Sequence, residues 1–76
     1  MIARPLARKV SSLIGSTELA LFAIVEGRFE PLCVGEVTLA ALARADAAAL
    51  LPPGSEGFAA GASLSARLLP GSMERF

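Results

Sequence analysis

The chain has 76 residues, 54% apolar and 18% charged, with seven Lys or Arg balanced by seven Asp or Glu. That length makes one small domain, burying only about 60% of the surface its unfolded chain exposes; part of the apolar excess is therefore expected to stay outside and mark contact surface. Scattered charge and only four Phe exclude a nucleic-acid binder, and no apolar run reaches the ~20 residues of a membrane helix.

Further classes fall on single residue types. There is no His, which removes the commonest general base and metal ligand. The one Cys rules out an internal disulfide and fits a reducing, cytoplasmic setting. Ser11, Ser12, Gly15 and Ser16 interrupt the first apolar stretch, so it does not read as a signal peptide.

In chain order, residues 1–8 carry Pro5 and read as an edge strand or a lead-in segment. Residues 9–15 are open to two readings: Val10, Leu13 and Ile14 share a helical face, but the run is also short enough for a strand and loop. Glu18 to Val25 is the clearest strand. Leu19, Leu21, Ala23 and Val25 fall on one face and Ala20, Phe22 and Ile24 on the other, so both faces are expected to be covered. Glu26-Gly27 predicts a tight turn. Arg28 to Val34 returns with Phe29 on one face and Arg28 and Glu30 on the other, ending or lying at an edge at Pro31, which has no N–H for a ladder.

After a loop at Gly35-Glu36-Val37, Thr38 is placed to cap a helix over residues 39–45. Leu39 and Leu42 are expected to bury together beside Ala43, with Arg44 at the dipole-favoured end. Asp46 is expected to close the exit turn through its side chain. Residues 47–51 predict a short buried strand ended by Pro52-Pro53-Gly54. The turn extends through Gly57, Phe58 pins it to the core, and Gly61 makes a second turn. Residues 63–69 alternate, with Leu64, Ala66 and Leu68 in and Ser63, Ser65 and Arg67 out. Pro70-Gly71 ends the domain, leaving 72–76 as a loose tail. Five or six short strands with one short helix predict a mainly β chain, closed as a small β-barrel, with Phe22, Ile24, Leu42 and Leu68 as core candidates.

Reactive groups are sparse. Cys33 has no His partner and sits between Leu32 and Val34 as a small packed residue. Glu18, Glu30, Glu36, Asp46 and Glu56 have no spacing that fixes a catalytic pair. Glu36 is the one placed in a glycine-bearing loop before a helix, where it either helps present backbone amides to an anion or simply favours the helix dipole. No dinucleotide or phosphate-loop glycine pattern occurs. Arg8, Lys9 and Arg44 are candidate oxyanion binders, each equally readable as a surface charge.

The run LAALARADAAALLP, then PGSEGFAAG, then SLSARLLP, with ARPLARKVSSLIGSTEL before them, resembles the C-terminal domain (domain IV) of the MoeA and gephyrin E-domain molybdopterin molybdotransferases over about residues 4–70. The resemblance implies a small β-barrel at the end of a dimeric, multi-domain enzyme that inserts molybdate into molybdopterin with Mg²⁺. Nucleotide and metal chemistry lie mostly on another domain there. The chain would be no enzyme alone and bind no cofactor alone, but wall the cleft through Pro31, Gly35, Glu36 and Thr38, with other domains or the dimer mate as partners. It departs from the family in that loop, Cys33-Val34-Gly35-Glu36-Val37-Thr38, where a Gly-Ser-Gly element is common, and at Ala45-Asp46-Ala47, where the family has Ala-Asp-Gly. The rival expectation is a stand-alone β-barrel binding or scaffold module that kept the fold without the chemistry, self-associating through exposed apolar surface.

Overall fold

A computed structural model describes residues 1–12, 15–54 and 57–70. Among them the elements run β1 (Ile2–Pro5), β2 (Val10–Ser11), β3 (Glu18–Val25), β4 (Arg28–Val34), α1 (Leu39–Arg44), β5 (Ala47–Leu51), β6 (Gly57–Phe58) and β7 (Ser63–Leu68). Five strands make one antiparallel sheet in the order β1-β7-β5-β3-β4, and β2 pairs with β6. The sheet curls until its two edges touch: Leu6, just past β1, forms a parallel bridge to Phe29 of β4, and the Ala7 amide donates to the Phe29 carbonyl at 2.8 Å. The result is a curled half-barrel, mainly β with one short helix. The ambiguous stretch after Lys9 is a strand at Val10–Ser11, while Leu13, Ile14, Ser55, Glu56 and the tail from Gly71 lie outside the described residues.

Alternation along the strands decides what lies inside. Ala20 and Phe22 of β3, Phe29 of β4, Ala47, Ala49 and Leu51 of β5, and Ala66 of β7 form the interior with Leu6 and Val10, and Ile2, Ile24, Val34, Phe58 and Leu64 pack against it. A narrow barrel has room for few large side chains, so small residues must face large ones; four alanines here face Phe22, Phe29, Leu6 and Leu51. The two rings stack with centroids 5.3 Å apart, a geometry that adds to their area burial. Phe58 packs against this core, as expected.

The hairpin joining β3 to β4 turns on Glu26 and Gly27, with φ of 52° and 76°, both positive as a type I′ turn requires. Pro31 does not end β4. The strand runs on to Val34 as the edge of the sheet, where a missing N–H costs no ladder bond. The register shifts just there, with Phe22 opposite Pro31 but Leu21 opposite Cys33, so Leu32 is an extra, bulged residue.

The helix sits on the outer face of the sheet. Thr38 Oγ1 accepts from the Ala41 amide at 3.0 Å, so the predicted cap forms. The buried stripe is Ala41 and Ala45 over Leu21, not Leu39 and Leu42, which are 87% and 50% exposed. The expectation for those leucines, and for Leu42 as a core residue, is corrected by geometry: six helical residues present one narrow stripe, and small residues at i and i+4 let the backbone approach Leu21 closely. Ala43 is exposed as well. Leu68 and Ile24 are half-buried rather than fully enclosed. In β5, read as buried throughout, Leu50 points outward and is 70% exposed.

Asp46 is 5% exposed and acts across the sheet. β5 pairs with β3 only as far as Ala47 opposite Phe22. Beyond that point the Asp46 amide donates to the Phe22 carbonyl at 2.8 Å, the Asp46 carbonyl accepts from the Leu69 amide at 3.0 Å, and its carboxylate accepts from the Ile24 amide at 2.9 Å. The carboxylate thus stands where the next strand carbonyl would be.

Three substitutions, at two positions, test these fold claims. Asp46→Ala should cost about 2 kcal/mol, the scale for a hydrogen bond to a charged acceptor whose loss leaves a donor without its partner, and Asp46→Asn, which retains an acceptor oxygen, should cost less; urea unfolding of the three chains gives the ranking. Gly57 has φ of 127°, and a Cβ there would overlap the Val10 carbonyl of the paired strand. Gly57→Ala should therefore lower stability by roughly 1–3 kcal/mol, read from the same titration.

Candidate functional site

The loop from Gly35 to Thr38 leaves the end of β4 and enters α1. Gly35 has φ of 83°, its amide donates to the Leu19 carbonyl at 2.9 Å, and the Glu18 carboxylate fills the space where a Cβ would stand. The positive φ favours glycine here, whereas the Glu18 carboxylate, at the end of a flexible side chain, could move aside for a Cβ. Glu36, Val37 and Thr38 are exposed.

Pro31 is not on this loop. It lies within β4, half-buried and opposite Phe22, on the order of 10 Å along the strand from Gly35. The structure therefore brings Gly35, Glu36 and Thr38 together and sets Pro31 apart. Its carbonyl accepts from the Arg8 guanidinium at 3.1 Å, and the same guanidinium pairs with Glu30 at 2.6 Å.

The loop residues offer little to an anion such as molybdate. The Gly35 amide is engaged by Leu19, the Thr38 hydroxyl serves as the helix cap, and the Glu36 carboxylate repels an anion. A helix of six residues offers little dipole. Among the described residues no three His, Cys, Asp or Glu side chains gather as metal ligands. Of the candidate oxyanion binders, Arg8 is committed to Glu30 and Pro31, Lys9 borders a shallow depression beside Val10, Gly57 and Phe58, and Arg44 closes the helix. Cys33 packs, half-buried, against the Leu21, Ala41 and Ala45 cluster.

The features that sequence reading did not place are apolar surfaces. On the outer face, Leu19 and Leu50 are cross-strand partners beyond the area that α1 covers. With Met1, Ala48, Ser65 and Arg67 they line a shallow depression of about 390 Å³. Met1 is 88% exposed, and α1 with the loop before it adds Leu39, Leu42 and Val37 to the exposed set. A second depression of about 460 Å³ opens where β1 runs past the β3–β4 turn, lined by Ile2, Ile24 and Leu68 with Arg4, Glu26 and Gly27. The signal for the first was present in the run Ala47–Leu51: both its faces are apolar, and only one can face a barrel interior.

No helix among the described residues is long and apolar enough to cross a membrane. Comparisons of this chain with protein-family models, with curated proteins and with solved structures find no match.

Proposed function

We propose that this chain is a small β-barrel docking module, without catalysis of its own, whose outer apolar face packs on a second copy or on the corresponding face of a dimer mate. The observation that carries this reading is the exposure of Leu39, Leu50 and Met1, at 87%, 70% and 88%, in a chain whose interior is already filled. Large apolar side chains left outside a complete core favour association. The lone Cys and the absence of His support a reducing, cytoplasmic setting and a non-catalytic role.

A second reading rests on the order of elements. The segments that resemble domain IV of the molybdopterin molybdotransferases correspond to α1 with β5, the turn through Gly57 and Phe58, and β7. In that reading the module ends a larger enzyme of molybdenum cofactor biosynthesis. The exposed Gly35–Thr38 loop helps wall a cleft whose molybdopterin, molybdate and Mg²⁺ are held by other domains.

The docking claim predicts that the chain self-associates as its concentration rises from micromolar to millimolar in sedimentation velocity, and that Leu39→Glu/Leu50→Glu remains a folded monomer throughout. A wild-type chain that stays monomeric across that range removes this reading. The second claim predicts that the chain, grafted in place of the C-terminal domain of a molybdotransferase, restores molybdoenzyme activity to a strain lacking that domain. A folded, expressed graft with no restored activity removes the cofactor role.

A further inference from the structure

Both edges of the curled sheet carry the same pair of residue types. Backbone groups alternate in direction along an antiparallel strand. In β1 the even positions face β7: the Leu6 amide donates to the Ala62 carbonyl at 2.9 Å, and the Leu6 carbonyl accepts from Gly61 at 2.8 Å. The register continues that pattern through Arg4 opposite Leu64 and Ile2 opposite Ala66. Ala3 and Pro5 therefore present their backbone groups outward. Pro5 has no N–H, and the Arg4 guanidinium donates to the Ala3 carbonyl at 2.8 Å.

At the other edge, Val25 and Arg28 close the hairpin, so Phe29 and Pro31 face outward. The Phe29 carbonyl is taken by Ala7. Pro31 again lacks an N–H, and its carbonyl takes the Arg8 guanidinium, which Glu30 holds in place from the neighbouring position.

We infer that Arg4 with Pro5, and Arg8 with Pro31, close the two sheet edges to strand addition, so that any partner must engage a face of the barrel and not its edges. An unpaired edge is a template for another strand. Proline deletes the donor that an incoming strand needs, and an arginine beside it occupies the acceptor. The arginine serves better than a lysine here because its planar fork satisfies a carbonyl and a carboxylate together. The inference stands on edge geometry alone and is independent of which surface the docking proposal uses.

The test is made in the Leu39→Glu/Leu50→Glu background, so that association through the outer face does not contribute. Into it go Arg8→Ala/Pro31→Val at the β4 edge and, separately, Arg4→Ala/Pro5→Val at the exposed β1 edge. Opening an edge should strengthen self-association by about tenfold or more, as expected for two or more regained backbone hydrogen bonds, with the new amide at residue 31, or the new amide at residue 5 together with that of Ala3, becoming protected from hydrogen exchange as the concentration rises. The β1 pair keeps the inference testable if the β4 pair fails to fold, because its residues are exposed. A folded edge variant that sediments as its parent does, with those amides unprotected at every concentration, overturns the inference. Association of the β4 pair that Arg8→Ala/Pro31→Val/Glu30→Gln abolishes also overturns it, since the loss would assign the contact to charge and not to backbone pairing.

Discussion

The carboxylate of Asp46, seated against the Ile24 amide, is the interaction on which the rest of the curled sheet depends. β5 is only five residues long, shorter than the β3 strand it lies beside, and the sheet must nevertheless turn from β3 through β5 to β7 without leaving buried amides unpaired. One residue solves this with three bonds: its amide to Phe22, its carboxylate to Ile24 and its carbonyl from Leu69. It also sits where the helix ends and β5 begins, so the same residue sets where α1 lies on the outer face. With it in place, every buried side-chain nitrogen and oxygen among the described residues has a partner, as native interiors require.

The same principle recurs wherever a ladder runs out. Arg8 and Arg4 reach carbonyls at the sheet edges, and the Thr38 hydroxyl accepts from the Ala41 amide in the first turn of α1. A domain this small has a high proportion of strand ends and helix ends to strand interior, so side chains must finish what the backbone begins. This gives the few polar residues near the sheet a structural employment. It explains why groups that could have been read as a site, Arg8 with Glu30 or Asp46 alone, are bound into the scaffold.

Much of the fold was legible in residue order. Alternation in ELALFAIV set both faces of β3, Glu-Gly set the hairpin, Thr38 set the cap, and AAALL between Asp46 and Pro52 formed a strand although alanine intrinsically favours helix, because the flanking turns and the covered faces outweigh that preference. Leu39 and Leu42 were misread because apolar spacing says which residues share a face, not whether that face meets anything; here Ala41 and Ala45 gave the closer approach to Leu21. The reach of Asp46 to Ile24 was not legible, because a local turn and a cross-strand bond look alike in one dimension. The candidate site was legible only as a loop. That Gly35 to Thr38 are contiguous in space follows from the chain, whereas the separation of Pro31 follows from β4 continuing through a proline, which an edge position alone permits. Exposure of Leu50 depended on how far the short helix reaches, a matter of three-dimensional coverage.

The bulge at Leu32 has a consequence for how this chain can vary. By adding one residue to β4 opposite the junction of Leu21 and Phe22, it reverses the inside–outside parity of everything that follows on the strand. Val34 is thereby delivered to the barrel interior and Cys33 to the helix side. Leu32 itself packs, half-buried, against the Leu21, Ala41 and Ala45 cluster, so an apolar residue suits position 32. A deletion of one residue between Pro31 and Gly35 is a different matter: it would exchange the thiol and the valine between the two layers and pull Gly35 away from Leu19. Related chains are therefore expected to hold the length of this segment, and a gap in it would mark a change in how the helix layer is seated.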